Sequence, residues 1–114
     1  MKVFVGCDLG GTNIKAGLVD VENGSVLVSD SAPTSARQGP ESVMERMAGL
    51  IADLIEKANI HKTEIGGLGI SAPGVIDLET NTTLFLPNLY SEWREVPVGD
   101  RMTDYLGLEV SMLN

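Results

Sequence analysis

Residues 8–15 read Asp8-Leu9-Gly10-Gly11-Thr12-Asn13-Ile14-Lys15 and follow directly on the apolar run Val3-Phe4-Val5-Gly6-Cys7. A strand ends in a carboxylate, two glycines and a threonine turn the chain, and a second strand leaves as Ile14 to Val21. Adjacent glycines let backbone N–H groups converge on an anion without an intervening Cβ. Thr12 and Asn13 add short hydrogen-bonding groups, and Lys15 adds a positive charge. Asp8, at the strand end, is placed to hold Mg²⁺ directly or through water, since Mg²⁺ commonly takes one or two carboxylates plus substrate phosphates. A plain glycine-rich hairpin would share the Gly-Gly pair. The whole octad at the end of an N-terminal strand favours a phosphate site.

Working outward, Lys2 to Asp8 is expected to be a strand buried on both faces. Ser25 to Ser31 reads as a third strand, joined to the second by a two-residue hairpin at Asn23-Gly24. Residues 32–39 have loop composition, and Pro40 suits the first position of a helix, with Glu41 near its positive end. Val43, Met44, Met47, Leu50, Ile51, Leu54, Ile55 and Ala58 recur at helical spacing, which places Glu45, Arg46, Asp53 and Lys57 toward water.

Ile65 to Ser71 is a fourth strand, parallel to the first if the helix is its crossover. Gly67-Leu68-Gly69-Ile70-Ser71-Ala72 superficially matches a dinucleotide-binding fingerprint, but that pattern needs a helix next, and Pro73-Gly74 forbids one. Val75 to Leu86 reads as an irregular hairpin broken at Pro87-Asn88-Leu89. Val98 to about Leu106 reads as a short helix closed by Gly107, and Leu108 to Leu113 as a last strand. The expected class is α/β, a mixed sheet of about five main strands with helices in the order βββαβ-(hairpin)-αβ.

Composition narrows the function classes. The 114 residues are the size of one domain, 43% hydrophobic, with a formal net charge of −8. No cluster of Lys and Arg appears, so a nucleic-acid partner is not expected. The single cysteine, Cys7, cannot form an internal disulfide and reads as a buried apolar residue in a reducing cytoplasm. The opening apolar run is too short for a signal-peptide core, and nothing approaches the roughly 18 apolar residues of a membrane helix. His61 is the only histidine and has no Cys or His nearby to share a metal.

Ligands of open α/β sheets sit beyond the carboxyl ends of parallel strands. Asp8, the Ser71-Ala72-Pro73-Gly74 elbow and Asn114 stand at three such ends, and they converge if the first, fourth and last strands are parallel neighbours. The set supplies phosphate donors and polar groups but no nucleophile–base pair, which suits positioning for phosphoryl transfer.

Asp8 through Asp20 resembles the N-terminal phosphate motif of the ROK family of sugar kinases and related repressors. Gly69-Ile70-Ser71-Ala72-Pro73-Gly74-Val75-Ile76-Asp77 is similar to that family's second motif, and Pro87-Asn88-Leu89 followed by Trp93 to a segment with further sugar contacts. The likeness runs in order over essentially the whole chain. It implies a ribonuclease-H-like lobe of the actin/hexokinase type, with ATP and Mg²⁺ as cofactors and a hexose or N-acetylhexosamine as substrate. Carried over by position, Gly10, Gly11, Thr12, Asn13 and Lys15 would hold ATP phosphates and Asp8 would serve the metal. Gly74, Val75, Asn88 and Asn114 would contact the sugar, while Trp93 reads mainly as packing.

In the family an Asp acting as catalytic base follows the Asn matching Asn114. Residues 1–114 are therefore expected to be a single N-terminal lobe cut before its base, inactive alone, with no zinc site and no second lobe. The exposed interdomain surface of such a lobe implies a homo-oligomer. The alternative is the lobe of a sugar-sensing ROK-type transcriptional regulator.

Overall fold

The computed structural model describes residues 2–87, 89 and 93–113. Strands β1 (Val3–Leu9), β2 (Asn13–Asp20) and β3 (Ser25–Pro33) run into helix α1 (Pro40–Ala58) and strand β4 (Ile65–Ser71). Short strands β5 (Val75–Asp77), β6 (Thr82–Phe85) and β7 (Arg94–Val96) follow, then helix α2 (Val98–Leu106) and strand β8 (Val110–Leu113). Among the described residues the strands form two sheets, one ordered β3-β2-β1-β4-β8 and one ordered β5-β6-β7. In the larger, β1 is antiparallel to β2 and parallel to β4, and β4 is parallel to β8. The α/β class and the parallel alignment of first, fourth and last strands are therefore as the sequence suggests.

The main core lies between this sheet and the helices. Val3, Val5, Cys7 and Leu9 of β1 meet Ile14, Ala16 and Leu18 of β2 on one face, under Val43, Met44, Met47, Ile51 and Leu54 of α1. Pro40 opens α1 behind Gly39, and Asn59 closes it in a left-handed conformation. Arg101 and the Tyr105 hydroxyl of α2 both bond the Glu41 carboxylate of α1. The Arg101 contact, with help from Tyr105, holds the Glu41 carboxyl below its ordinary range.

Four expectations are corrected. First, β1 is not buried on both faces: Phe4, Gly6 and Asp8 alternate outward and are exposed. Second, the β2–β3 connection is four residues, 21–24, and not a two-residue Asn-Gly turn. The Asp20 carboxylate accepts from Glu22 N–H and the Asn23 amide oxygen from Ser25 N–H, at 3.0 and 2.9 Å. These local bonds shape the loop around Gly24, which alone there takes positive φ. Third, the hairpin after β4 gains a third strand, β7. Fourth, Arg46 does not simply face water; it is half-buried and hydrogen-bonded to main chain.

The small sheet is held by Trp93, whose Nε1 donates to the buried Thr83 hydroxyl at 2.8 Å while that hydroxyl donates to Val96 O at 3.2 Å. The packing role read for Trp93 agrees with its burial. Asn81 joins the two sheets. Its side-chain amide donates to Val110 O and accepts from Met112 N–H of β8, both at 3.0 Å.

Candidate functional site

The carboxyl ends of β1, β4 and β8 lie side by side, and their outward residues form a row on the uncovered face of the large sheet. Lys15 of β2 stands opposite Asp8 of β1, Asp8 opposite Ser71 of β4, and Ser71 opposite Leu113 of β8. Ser71 Oγ donates to Asp8 Oδ1 at 3.0 Å. One strand register inward, Gly17, Gly6, Gly69 and Ser111 form a parallel row of small residues. Together these rows floor an open groove of about 690 Å³ lined by Asp8, Lys15, Gly6, Gly17, Ser71 and Leu113, among others.

The β1–β2 hairpin turns through Gly11 and Thr12, closed by Gly10 N–H donating to Asn13 O at 3.0 Å. Glycine is required at position 10 by space, because an added Cβ would lie 2.7 Å from that same carbonyl oxygen. Among the described residues neither Gly11 N–H nor Thr12 N–H has an acceptor. The hairpin thus offers backbone donors at its tip, as the phosphate reading requires. Its two carbonyls point elsewhere: Thr34 Oγ1 donates to Gly10 O at 2.7 Å and Thr34 N–H to Thr12 O at 2.8 Å.

Thr34 was legible only as a loop residue, yet it is fully buried. Arg46 Nη1 donates to its carbonyl at 2.7 Å. The signal that could have found it is the position of Thr34, directly after the strand that pairs with the hairpin's second arm.

On the opposite side of the row, Gly74 and Val75 begin the small sheet. Gly74 has φ +142°, and a Cβ there would sit 2.3 Å from Phe85 O, so only glycine fits. Val75 is 56% exposed. Asn88 and Asn114, the other two sugar-contact candidates, lie outside the described residues. The structure therefore brings Asp8, Lys15 and Ser71 together, with the Gly10–Asn13 tip at the end of the same two strands.

Cys7 precedes Asp8 but faces the covered side. Burial, and secondarily the charge of Asp8, push its thiol up to about 12, so it stays protonated and is no nucleophile. Among the described residues no three His, Cys, Asp or Glu side chains come together as a metal cluster. Asp8, a lone carboxylate beside a hydroxyl, suits an ion whose remaining ligands are water and phosphate oxygens. No helix among the described residues is long and apolar enough to cross a membrane.

The profile of the ROK family matches residues 4–114. The glucokinase of Streptomyces coelicolor is 34% identical over 114 residues, covering all of this chain and 33% of that protein. The xylose repressor of Caldicellulosiruptor bescii is 30% identical over 97% of the chain and 27% of its own length. Among solved structures, a ROK hexokinase from Thermus thermophilus superposes with a TM-score of 0.85 at 27% identity, over 98% of this chain and 35% of that one. A ROK glucokinase from Streptomyces griseus in complex with glucose and AMPPNP gives 0.83 at 30%, over 98% and 33%. The chain spans about a third of the length of the curated relatives it matches. It belongs to the ROK family, and its fold is the ribonuclease-H-like lobe of the actin-like ATPases.

Proposed function

We propose that this chain is the N-terminal phosphate- and sugar-binding lobe of an ATP-dependent sugar kinase. The observation that carries the reading is the row Lys15–Asp8–Ser71 at the parallel strand ends, next to a hairpin tip whose Gly11 and Thr12 N–H groups have no acceptor among the described residues. In this reading Gly10, Gly11, Thr12 and Asn13 present backbone and short side-chain donors to the ATP phosphates, and Lys15 offsets their charge. Asp8 serves Mg²⁺, which when bound neutralises charge on the transferring phosphoryl group. Gly74 and Val75 shape the sugar side through backbone and apolar surface, and Asn88 and Asn114 hydrogen-bond sugar hydroxyls.

Glucose is the first substrate to test, because a relative with this lobe carries glucose and an ATP analogue together; N-acetylhexosamines are the second class. The reading assigns the catalytic base to an Asp beyond Asn114, so the 114 residues alone should show no turnover. General-base catalysis contributes about 10²–10⁴ in rate, and the second lobe's positioning adds more. A coupled ADP-release assay with glucose, mannose and N-acetylglucosamine should give the no-enzyme blank for this chain and sugar-dependent turnover for a full-length protein carrying it. Turnover by the short chain, or none by the long one with any of these sugars, would sink the assignment.

A regulator is the second reading, favoured by the match to a xylose repressor. It predicts sugar binding without ADP release in the full-length protein, so the same assay separates them. The exposed apolar residues Phe4, Val26 and Leu113 of the uncovered face support self-association of the isolated lobe. Light scattering at micromolar concentration should show a dimer or larger species, and a clean monomer would refute that part.

A further inference from the structure

We propose that Thr34 and Arg46 are positioning residues that hold the Gly10–Asn13 hairpin in the form that presents its N–H groups to phosphoanhydride oxygens. The inference rests on reading that hairpin as the phosphate site, and it explains why the site stays open. The peptide unit is planar and trans, so its C=O and N–H point in opposite directions. Fixing Gly10 C=O on Thr34 Oγ1 at 2.7 Å therefore aims Gly11 N–H away from Thr34. Fixing Thr12 C=O on Thr34 N–H at 2.8 Å does the same for the next peptide but one. A single fully buried residue sets two peptide planes.

Arg46 has a separate part. Strands β2 and β3 pair Ile14 with Ala32 and Asn13 with Pro33. Continuing that antiparallel ladder by one step makes Thr12 and Thr34 a hydrogen-bonded pair, in which each N–H meets the other's C=O. Only half of that pair forms. Thr34 N–H reaches Thr12 O, but Thr34 O accepts from Arg46 Nη1 at 2.7 Å. Among the described residues Thr12 N–H is left without an acceptor. The guanidinium takes the place that Thr12 N–H would fill in a closed ladder, and so keeps that donor available. Arg46 is itself oriented by α1 and by Gln38 Oε1, which accepts from Nη2.

The test uses the ¹⁵N-labelled chain, with MgATP and inorganic triphosphate as probes and amide shifts at Gly11 and Thr12 as the binding readout. The variants are Thr34→Val, Thr34→Ser, Arg46→Met and Arg46→Lys. Loss of one oriented hydrogen bond should weaken triphosphate binding about five- to tenfold in Thr34→Val and Arg46→Met, with Thr34→Ser and Arg46→Lys within about threefold of the parent. The readout that loss of stability alone would not produce is Thr12 amide exchange. In Arg46→Met the ladder can close onto the vacated Thr34 carbonyl, so Thr12 exchange should slow while neighbouring loop amides exchange faster or unchanged. Thr34→Ser and Arg46→Lys keep the experiment decisive if a larger change unfolds the chain, since both should retain fast Thr12 exchange and probe affinity. Parent-like affinity and exchange in Arg46→Met overturn the positioning role. No shift at Gly11 or Thr12 in the parent at any probe concentration instead overturns the phosphate reading of the hairpin, whatever the exchange data show.

Discussion

The two faces of the large sheet are built from alternate residues of the same strands and meet opposite conditions. On one, Val5, Cys7, Leu18, Leu68 and Val110 lie under the two helices and are almost wholly excluded from solvent. On the other, Phe4, Gly6, Asp8, Lys15, Ser29, Ser71 and Leu113 are open or half-open and carry the charges and hydroxyls of the candidate site. The covered face has the volume and branching of a core. The open face is nearly flat, because glycine or serine stands at one register position on all five strands, Ser29–Gly17–Gly6–Gly69–Ser111. Stability and chemistry are thus separated by the two-residue period of the strand itself, and a substitution's effect should depend on which parity it falls on.

The largest effect should come from Ile51→Ala beneath the covered face, at about 2–5 kcal/mol, against less than about 1.5 kcal/mol for Phe4→Ala on the open one. Urea midpoints of the two variants measure the contrast. Equal losses would mean that the open face is packed against something in solution.

Next is Cys7. Its thiol titrates near 12 in the folded chain against an ordinary value of 9.0. The folded state therefore keeps a proton that the unfolded state gives up, and the contribution is intact below pH 9 and lost as pH rises from there toward 12. The slope should approach about −1.4 kcal/mol per pH unit between those limits. Cys7→Ala should remove that portion of the alkaline loss, and an unchanged slope would show that the thiol is accessible.

A smaller effect, with the opposite sign, should appear at Gly69, where an added Cβ meets nothing within 4 Å. Gly69→Ala should leave the thermal midpoint unchanged or raise stability by about 0.5–1 kcal/mol through the unfolded chain. A clear loss would place another surface against the glycine row.

Asp8→Asn should change stability least, within about 0.5 kcal/mol, since it is exposed and its side-chain partner among the described residues is Ser71. It should weaken the Mg²⁺ dependence of nucleotide-induced amide shifts around the hairpin. Equal Mg²⁺ dependence in both proteins would remove the metal role assigned to Asp8.

How much of this could be read from the chain follows the same division. Helix α1 was legible over its full length because its apolar residues recur at 3.6 spacing and Pro40 marks its start. Strand β4 and the parallel row were legible from glycine-bounded apolar runs. Strand β1 misled on burial because Phe4 and Gly6 are apolar by composition, and nothing local says whether a second layer covers them. Asn23-Gly24 misled because two side-chain acceptors, Asp20 and Asn23, compete with the tight turn. Strand β7 has no periodic signature: Arg94, Glu95 and Val96 pair with β6 although Glu95 sits at positive φ. Within the site, Asp8, Lys15 and the hairpin were legible as a motif. Thr34 and Arg46 were not, since a loop threonine and a helix-surface arginine acquire meaning only when β3 brings one under the hairpin and α1 brings the other under it.

Asn81 has a consequence for assembly. The residues of β8 that turn away from β4 are Val110 and Met112, and the Asn81 amide occupies the Val110 carbonyl and the Met112 N–H as a neighbouring strand would. The Asn81 amide thus takes two of the main-chain groups at one edge of the large sheet, and among the described residues β3 forms the other edge. One asparagine in a left-handed turn thereby makes that part of the β8 edge less available for pairing with another strand.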